Sequence, residues 1–330
     1  MAAETRRGPR LRIGTRGSAL ALAQSRQTAA RLEQEGLEVE LVVVRTSGDR
    51  LADVSLARVG GKGLFIKELE EALERGEIDL AIHSLKDMPA ELPEGFALAA
   101  VTTRADVRDV LILREDVDGS GADAASGDEA LALLAPGTRV GTGSLRRRAQ
   151  IAARRPDVET VPIRGNIDTR VEKVRRGDVD AVVLAAAGLG RLGVALRPRP
   201  LEVASFLPAP GQGALAVESR AGDAATQARV SLLNDPAAAA ACAAERAFLR
   251  DLGASCVVPV AAFATANVAR DALQLDGLVA SLDGKRIVRG RSRGSVANPE
   301  AVGSELASRL CREGAREILD EIERDLSSQG

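Results

Sequence analysis

Short apolar runs alternate with longer amphipathic stretches along the first two thirds of the chain. Uninterrupted apolar runs of this kind are typical of strands buried in a parallel sheet. The predicted strands are residues 11–14, 39–44, 80–82, 140–141, 158–163 and 181–184. The stretches between them that predict helices are residues 19–35, 67–75, 145–154 and 168–176. Alternation of strands and helices predicts an α/β fold in which crossover helices cover the sheet.

Three sequence fragments recur in the same order further along the chain. RIGT at residues 12–15, followed by Ser18, recurs as RVGT at residues 139–142, followed by Ser144. EVELVVVR at residues 38–45 recurs as DVETVPIR at 157–164, and RGEIDLAI at 75–82 recurs as RGDVDAVV at 176–183. Chance similarity between common strand patterns is the alternative, but the shared order favours two copies of one α/β unit. Two such units facing each other predict a cleft with a hinge between them.

Changes in the pattern set the predicted domain boundaries. Residues 102–109 predict a first crossover, and residues 198–213, rich in Pro and Gly, predict the return. Beyond residue 235 the chain predicts a third, α+β domain, which contains an alanine-rich helix (236–247), a loop (253–259), strands around 260–264, 273–280 and 287–292, and one last helix (299–326). The predicted division is therefore residues 1–104 with 213–233, residues 105–212, and residues 234–330. The Gly-, Ser- and Asp-rich stretch 116–128 predicts a mobile surface insertion.

Composition argues against several classes of function. The chain has 45 Lys and Arg against 47 Asp and Glu, so it has no basic excess for non-specific nucleic-acid binding. Five Phe with no Trp or Tyr also argue against a base-stacking surface. One His and three Cys cannot supply a conventional zinc cluster, so we expect no metal. No secretory or membrane-spanning segment is visible, and the scattered cysteines favour a reducing cytoplasm.

The loops that follow the predicted strands carry the candidate chemistry, because ligands of open α/β sheets bind beyond the carboxyl ends of the strands. HSLKDMP at residues 83–89 is one such loop, and its Asp87 can act as a general acid or stabilise a developing cation. An ordinary aspartate that caps a turn is the alternative.

Arginines cluster in the other loops, near Gly, Ser and Thr, and suit a ligand with several carboxylates or phosphates. A solvated basic helix face is the alternative for any one of these arginines. One predicted cleft wall carries Arg16 and Ser18, and the other carries Thr142, Ser144, Arg146, Arg147, Arg148, Arg164, Asn166 and Arg170. Helices that begin after Ser18 and Ser144 add N–H donors at their positive ends.

Cys256 lies on a loop of small residues, whereas Cys242 and Cys311 fall on predicted helices. Most lone cysteines are buried packing residues, and this is the expectation for Cys242 and Cys311. The loop context makes Cys256 a candidate for function, although the residue alone does not decide the matter.

Seven ordered segments together resemble the porphobilinogen deaminase (hydroxymethylbilane synthase) family over nearly the whole chain. They are IGTRGSALALAQ at 13–24, VGGKGLFIKELE at 59–70, HSLKDMP at 83–89, GTGSLRRRAQ at 141–150, IRGNIDTR at 163–170, LPAPGQGA at 207–214 and the loop that carries Cys256. The resemblance implies two similar periplasmic-binding-protein-like α/β domains flanking a cleft, plus a smaller C-terminal α+β domain.

The resemblance also implies an activity and a cofactor. Four porphobilinogen molecules are joined head to tail, with loss of ammonia, to give linear hydroxymethylbilane, a step of tetrapyrrole biosynthesis. A dipyrromethane cofactor is bound through a thioether to Cys256, and Asp87 is the catalytic residue. The implied cofactor-binding residues are Ser18, Ser84, Lys86, Asp87, Thr142, Ser144, Arg146, Arg147 and Gly165. The implied substrate-binding residues are Arg16, Ser18, Gln24, Arg164 and Arg170, and Arg58 and Lys62 belong to an implied flexible loop.

The chain departs from the family pattern at two of these places, and two other functions remain open. Val257 follows the cysteine where many relatives carry a polar residue, and Arg58 stands where Lys is common. A non-catalytic two-lobed protein that binds a polycarboxylate is one alternative. An enzyme that uses Lys86 as a Schiff-base nucleophile is the other. The family also suggests a monomer.

Overall fold

The computed structural model describes residues 10–45, 66–114, 128–194, 196–253 and 258–328. The strands are β1 (Leu11–Thr15), β2 (Val39–Val43), β3 (Leu80–Ser84), β4 (Phe96–Val101), β5 (Asp109–Leu113), β6 (Arg139–Gly141), β7 (Glu159–Val161), β8 (Ala181–Ala185), β9 (Arg199–Leu201), β10 (Leu215–Arg220), β11 (Val260–Asn267), β12 (Ala272–Ala280) and β13 (Ile287–Gly294). The helices are α1 (Ala19–Gln34), α2 (Lys67–Glu74), α3 (Asp128–Ala132), α4 (Leu145–Arg154), α5 (Ile167–Arg175), α6 (Ala186–Leu192), α7 (Ala224–Val230), α8 (Pro236–Asp251), α9 (Pro299–Leu310) and α10 (Arg316–Ser328). All six strands and four helices predicted from the periodicity are present, with ends shifted by a few residues at most.

Two five-stranded sheets share one topology. The first has the order β2-β1-β3-β10-β4, and the second has the order β7-β6-β8-β5-β9. In each sheet the three strands that carry the repeated fragments pair in parallel, and the fourth strand is antiparallel to its neighbour. The shared order confirms the internal repeat and the α/β class.

One ion-pair arrangement is also repeated in the two sheets. In the first sheet the Arg12 amide donates to Asp79 Oδ2 at 2.9 Å, and the Arg12 Nη2 donates to Asp79 Oδ1 at 2.7 Å. In the second sheet Arg139 makes the corresponding bonds to Asp180, at 2.9 Å from its amide and 3.1 Å from Nη2. In each pair the arginine lies at the start of a central strand, and the aspartate lies one residue before the neighbouring parallel strand. The fragments RIGT and RGEIDLAI are therefore joined in the same way as RVGT and RGDVDAVV.

The third unit is a sheet in the order β11-β12-β13 with helices packed against it. Its core lies between α8, α9 and the sheet. Phe248, Leu275 and Leu306 belong to this core and are fully buried. The predicted α+β character of this part of the chain is therefore confirmed.

Glu245 of α8 joins this third unit to the segments that connect the two larger sheets. Its carboxylate is fully buried and accepts hydrogen bonds from Arg104 Nη1 at 2.6 Å and from the Gly211 amide at 2.6 Å. It also accepts a bond from the Ala264 amide of β11 at 2.7 Å. Arg104 in addition stacks over the Phe263 ring at 5.3 Å. One buried carboxylate thus ties both connecting segments to the third unit.

Three expectations about the elements were wrong. The runs at 39–44 and 158–163 were expected to be buried, but β2 and β7 are edge strands and Val43 is 54% exposed. Residues 199–201, assigned to the return segment, form β9 of the second sheet. The last helix is broken, because Gly314 has a φ of 107°, which a helix cannot contain. Of the predicted insertion, residues 116–127 lie outside the described part of the chain.

Candidate active site

The turn after β3 presents Asp87 at the carboxyl end of the first sheet. β3 ends at Ser84 and continues into a single 3-10 turn, Leu85–Asp87. Leu85 and Met88 are buried and hold this turn against the core, whereas Asp87 between them is exposed. The Ser84 hydroxyl accepts a hydrogen bond from Gln24 Nε2 of α1 at 2.7 Å. The turn is therefore fixed on one side and leaves the Asp87 carboxylate free to meet a ligand.

Two helices begin at matching places in the two sheets. Ser18 is the N-cap of α1 and accepts from the Ala21 amide at 3.4 Å. Ser144 is the N-cap of α4 and accepts from the Arg147 amide at the same distance, 3.4 Å. The buried Thr142 accepts from the Ser144 amide at 3.2 Å and supports this second cap. Both predicted helix starts are confirmed, and each directs backbone N–H groups toward the strand ends, where anions bind.

A buried carboxylate, Asp109, pairs the first two guanidinium groups of α4. Its Oδ2 accepts from Arg146 Nη1 at 2.7 Å, and its Oδ1 accepts from Arg147 Nη2 at 2.7 Å. Both arginines also bind backbone carbonyls, of Leu207 at 2.8 Å and of Val183 at 2.8 Å. Burial alone would raise the pKa of Asp109, but the two guanidiniums outweigh it and hold that pKa well below its usual range. Hydrogen bonds thus hold Arg146 and Arg147 in fixed positions, and the Asp109 carboxylate neutralises part of their positive charge.

Lys86 reaches the same cluster from the other sheet. Its Nζ donates to Gln212 Oε1 at 3.2 Å, and Gln212 Nε2 donates to Asp109 Oδ1 at 3.0 Å. Burial lowers the pKa of Lys86 to about 8, with Arg147 adding to this effect and Asp87 opposing it. Lys86 therefore remains largely an ammonium at neutral pH.

Arg170 brings the second sheet into electrostatic range of Asp87. It lies on α5, is half-buried, and donates from Nε to the Gly165 carbonyl at 2.7 Å. Burial lowers the pKa of Arg170, Arg147 lowers it further, and the Asp87 carboxylate raises it. Asp87 and Arg147 thus both act on the charges of Lys86 and Arg170, at a single place between the two sheets.

The other predicted site residues are either more accessible to solvent or outside the described part of the chain. Arg16 is half-buried on the turn that follows β1, whereas Arg148, Arg164 and Asn166 are exposed. Cys256 with Val257, and the loop residues Arg58 and Lys62, lie outside the described residues. Their assignments therefore stay predictions.

Sequence reasoning missed two buried residues of the cluster, Asp109 and Gln212. The sequence pattern places Asp109 at the end of a crossover and Gln212 in a Gly- and Pro-rich return. A signal for Gln212 existed, because a polar residue enclosed by glycines in LPAPGQGA is unusual for a simple linker. Nothing in the local sequence pointed to Asp109 as the partner of two arginines 37 and 38 residues away.

Within the five described stretches, no cluster of three or more His, Cys, Asp or Glu side chains is arranged to hold a metal ion. Over the same stretches, no helix combines the length and the apolar character needed to cross a membrane.

Glu70 of α2 is a titratable residue outside the cluster just described, close to β3. His83 Nε2 and Glu218 Oε2 are 2.9 Å apart in the core, and Glu70 of α2 lies within electrostatic range of both. Burial, with the charge of Glu218, raises the pKa of Glu70 from 4.5 to about 7. Between these two values the folded protein holds a proton that the unfolded chain has lost, so this contribution to the free energy of unfolding falls as pH rises toward 7.

Glu70→Gln removes that pH dependence. We expect the melting temperature of the variant to exceed that of the unchanged protein by about 1–3 °C at pH 8 and to match it at pH 5. Glu33→Gln on the exposed face of α1 serves as the control and should show no such pH-dependent difference. An equal effect of Glu70→Gln at both pH values would contradict the assignment.

The fold and the site define a class. Two similar α/β lobes, joined by crossover segments, place an exposed aspartate beside buried arginines and a lysine, as an enzyme acting on a multiply charged anion requires. Residues 11–228 match the family model described as porphobilinogen deaminase, dipyromethane cofactor binding domain, and residues 239–312 match the porphobilinogen deaminase C-terminal domain. The chain belongs to the porphobilinogen deaminase family.

Curated relatives agree over almost the full length. The porphobilinogen deaminase of Trichlorobacter lovleyi is 48% identical, over 95% of this chain and 96% of its own. That of Moorella thermoacetica is 49% identical, over 94% and 96% of the two chains. Among solved structures, a periplasmic substrate-binding protein of an ABC transporter from Coxiella burnetii aligns with a TM-score of 0.40 at 14% identity, over 72% of this chain and 96% of that chain.

Membership of the family gives the activity that the sequence predicted. The chain is a transferase of tetrapyrrole biosynthesis that joins porphobilinogen molecules, with loss of ammonia, into hydroxymethylbilane. Its cofactor is a covalently attached dipyrromethane. The alternative of a non-catalytic two-lobed binding protein is not favoured.

Proposed function

We propose that the condensation takes place in the cleft between the two sheets, with Asp87 as the acid–base group and the surrounding cations as ligands of substrate and cofactor carboxylates. Two observations support this proposal: hydrogen bonds connect Lys86 of one lobe through Gln212 to Asp109 of the other, and the neighbouring Asp87 lies within electrostatic range of Arg170. Each porphobilinogen carries an acetate and a propionate, so the site must neutralise more negative charge with every unit added. Among the described residues, the cations of Lys86, Arg146, Arg147 and Arg170 interact with two carboxylates, Asp87 and Asp109, and this imbalance suits such a ligand.

The same imbalance makes the residues fit a dipyrromethane. Buried cations that lack a full set of anionic partners are costly unless a ligand supplies the missing charge. Ser18, Ser84, Lys86, Asp87, Thr142, Ser144, Arg146, Arg147 and Gly165 are the proposed cofactor-binding residues. When bound, dipyrromethane supplies the free pyrrole carbon to which the first substrate unit is joined. Arg16, Ser18, Gln24, Arg164 and Arg170 are the proposed substrate-binding residues.

The exposed carboxylate of Asp87 suits the proton transfers of this reaction. The amine of porphobilinogen leaves as ammonia only when protonated, and it departs with the electron pair of the carbon–nitrogen bond. A cation remains on the methylene carbon, and a carboxylate beside it lowers its energy. When the new carbon–carbon bond forms, the attacked pyrrole carbon loses a proton that Asp87 can accept. One aspartate thus handles both proton steps of each addition.

The remaining assignments are proposals that rest on the family pattern. Cys256 is the proposed attachment point of the cofactor, and Arg58 and Lys62 belong to a proposed flexible loop, all outside the described residues. The division into residues 1–104 with 213–233, 105–212 and 234–330, the monomeric state, the absence of a metal, and the cytoplasmic location are likewise proposed.

Stoichiometry tests the proposed function. Porphobilinogen added to the purified protein should yield four ammonia molecules for each linear hydroxymethylbilane, both measured in the same quenched samples. Binding of porphobilinogen without release of ammonia would support the binding-protein alternative instead. Borohydride added together with substrate should leave activity intact, because the Lys86 ammonium is held by Gln212 and is not the nucleophile. Irreversible inactivation by borohydride would favour a Schiff base at Lys86.

A further inference from the structure

Gln212 occupies a buried position where both lobes and the connecting segment meet. The residue is 0% exposed and lies just ahead of β10. Gly211 and Gly213 on either side have φ of 74° and 94°, and a side chain at either would clash. A Cβ on Gly211 would come within 2.9 Å of Leu85 Cγ, and one on Gly213 within 2.7 Å of the Ala105 carbonyl oxygen. Gly211 therefore allows this backbone to lie directly against the turn that carries Lys86, and Gly213 allows it to lie against the connecting segment at Ala105.

The surroundings fix which way the Gln212 amide points. Its Nε2 lies 2.8 Å from the Val107 carbonyl oxygen and 3.0 Å from Asp109 Oδ1, and both of these atoms can only accept hydrogen bonds. The Oε1 atom is consequently left to accept from Lys86 Nζ at 3.2 Å. A flipped amide would place its NH2 group against an ammonium and its carbonyl against a carboxylate. Only the observed orientation satisfies all three neighbours.

These bonds form one continuous connection between the lobes. From Lys86 at the end of β3 it passes through Gln212 to Asp109 of β5, and from there to Arg146 and Arg147 of α4. The three cations thereby share a single rigid support, although they come from different sheets. Among the described residues, Gln212 is the side chain whose hydrogen bonds connect the Lys86 ammonium to Asp109.

We propose that Gln212 is a positioning residue for the condensation, which holds the Lys86 ammonium in register with the Arg146–Arg147 pair of the opposite lobe. The inference rests on the proposed role of these cations in binding carboxylates. A glutamine serves here because it is a neutral side chain that donates to the acidic lobe and accepts from the basic one at the same time. If Lys86 is displaced from Arg146 and Arg147, the three cations no longer bind the same ligand carboxylates together. The reaction should then slow while the protein stays folded.

The charges around Lys86 give this proposal a readout that a purely structural role would not move. Asp87 and Asp109 favour the ammonium, whereas burial, Arg147 and Arg146 disfavour it. The Gln212 carbonyl adds an acceptor for the charged form. Its removal should therefore lower the midpoint of Lys86 titration, and a carboxylate in its place should raise it.

Two variants of the holoenzyme, Gln212→Met and Gln212→Glu, test the proposal. The titration midpoint of Lys86 is measured by competitive amine labelling at a series of pH values, with the labelled peptides quantified by mass spectrometry. The chain has only five lysines, so Lys173 and Lys285 serve as internal references. Relative to the unchanged holoenzyme, we expect the Lys86 midpoint to fall by about one pH unit in Gln212→Met and to rise by about one unit in Gln212→Glu. We also expect kcat/KM for porphobilinogen to fall about 10- to 100-fold in Gln212→Met.

Gln27→Leu on the exposed face of α1 is the control and should change neither quantity. A Lys86 midpoint that stays within about 0.2 units in both variants would overturn the proposal, and so would a shifted midpoint with unchanged kcat/KM. If Gln212→Met does not fold, Gln212→Glu alone tests the proposal. A rise of the Lys86 midpoint in that variant supports the proposal, and an unchanged midpoint overturns it. Failure of the proposed function would look different, since Asp87→Asn would then keep a near-normal rate of hydroxymethylbilane formation, whatever the Lys86 midpoint does in the Gln212 variants.

Discussion

Asp87→Asn abolishes nearly all turnover while the protein stays folded and keeps its cofactor. We expect the rate of hydroxymethylbilane formation to fall about 100- to 10,000-fold, the range attributed to a positioned acid–base group. Asparagine keeps the size of the side chain but can neither carry the proton nor offset the charge that ammonia leaves behind. Because Asp87 is exposed and its turn is held by the buried Leu85 and Met88, the melting temperature should hardly change.

Stopped-flow or quenched assays under saturating porphobilinogen measure this effect directly. Asp320→Asn, an exposed aspartate on α10, is the matched control and should retain full activity. A rate for Asp87→Asn within a few-fold of the unchanged enzyme would mean that another group moves the protons. The interpretation of Asp87 as an ordinary turn residue would then be the better one.

Cys256→Ser removes the second essential element, the covalent anchor. We expect the purified variant to lack the mass of a dipyrromethane, to give no colour with an aldehyde reagent for pyrroles, and to have no measurable turnover. A serine hydroxyl is too weak a nucleophile to form the thioether's oxygen counterpart under the same conditions. Intact-mass spectrometry of the variant beside the unchanged protein provides the measurement.

The two other cysteines supply the controls. Cys242 is buried in α8, and burial raises the pKa of its thiol to about 12, so it has almost no nucleophilic thiolate at neutral pH. Cys311 is half-buried, and its sulfur lies 3.7 Å from Arg316 Nη2. Cys242→Ala and Cys311→Ser should both keep the added mass. An adduct that survives Cys256→Ser and disappears in Cys311→Ser would move the anchor to the last helices.

The part of the fold that the sequence predicted is the part that local patterns encode. Apolar runs identified the central strands because these strands are buried on both faces, and the same runs at residues 39–44 and 158–163 gave no sign that their strands lie at sheet edges. Edge position depends on which strand pairs with which, and periodicity carries no information about pairing. Gly314 similarly ended a helix inside a stretch whose apolar spacing continues through it.

The candidate site divides along the same line. Ser18, Ser144 and the HSLKDMP loop follow directly from strand ends and helix starts, so they were visible in the chain. Asp109 and Gln212 were not, because their importance comes from partners on other elements, brought together only by folding. Glu245, which gathers Arg104, Gly211 and Ala264, is a further case of the same kind.

Intact mass during a single round of synthesis tests the central claim most directly. The resting protein should exceed its sequence mass of 34.4 kDa by one dipyrromethane unit. On addition of limiting porphobilinogen, species heavier by successive porphobilinogen units, each less one ammonia, should appear and then return to the resting mass as product leaves. A protein that has only its sequence mass, and gains none while hydroxymethylbilane is being formed, would contradict a covalent primer held in this cleft.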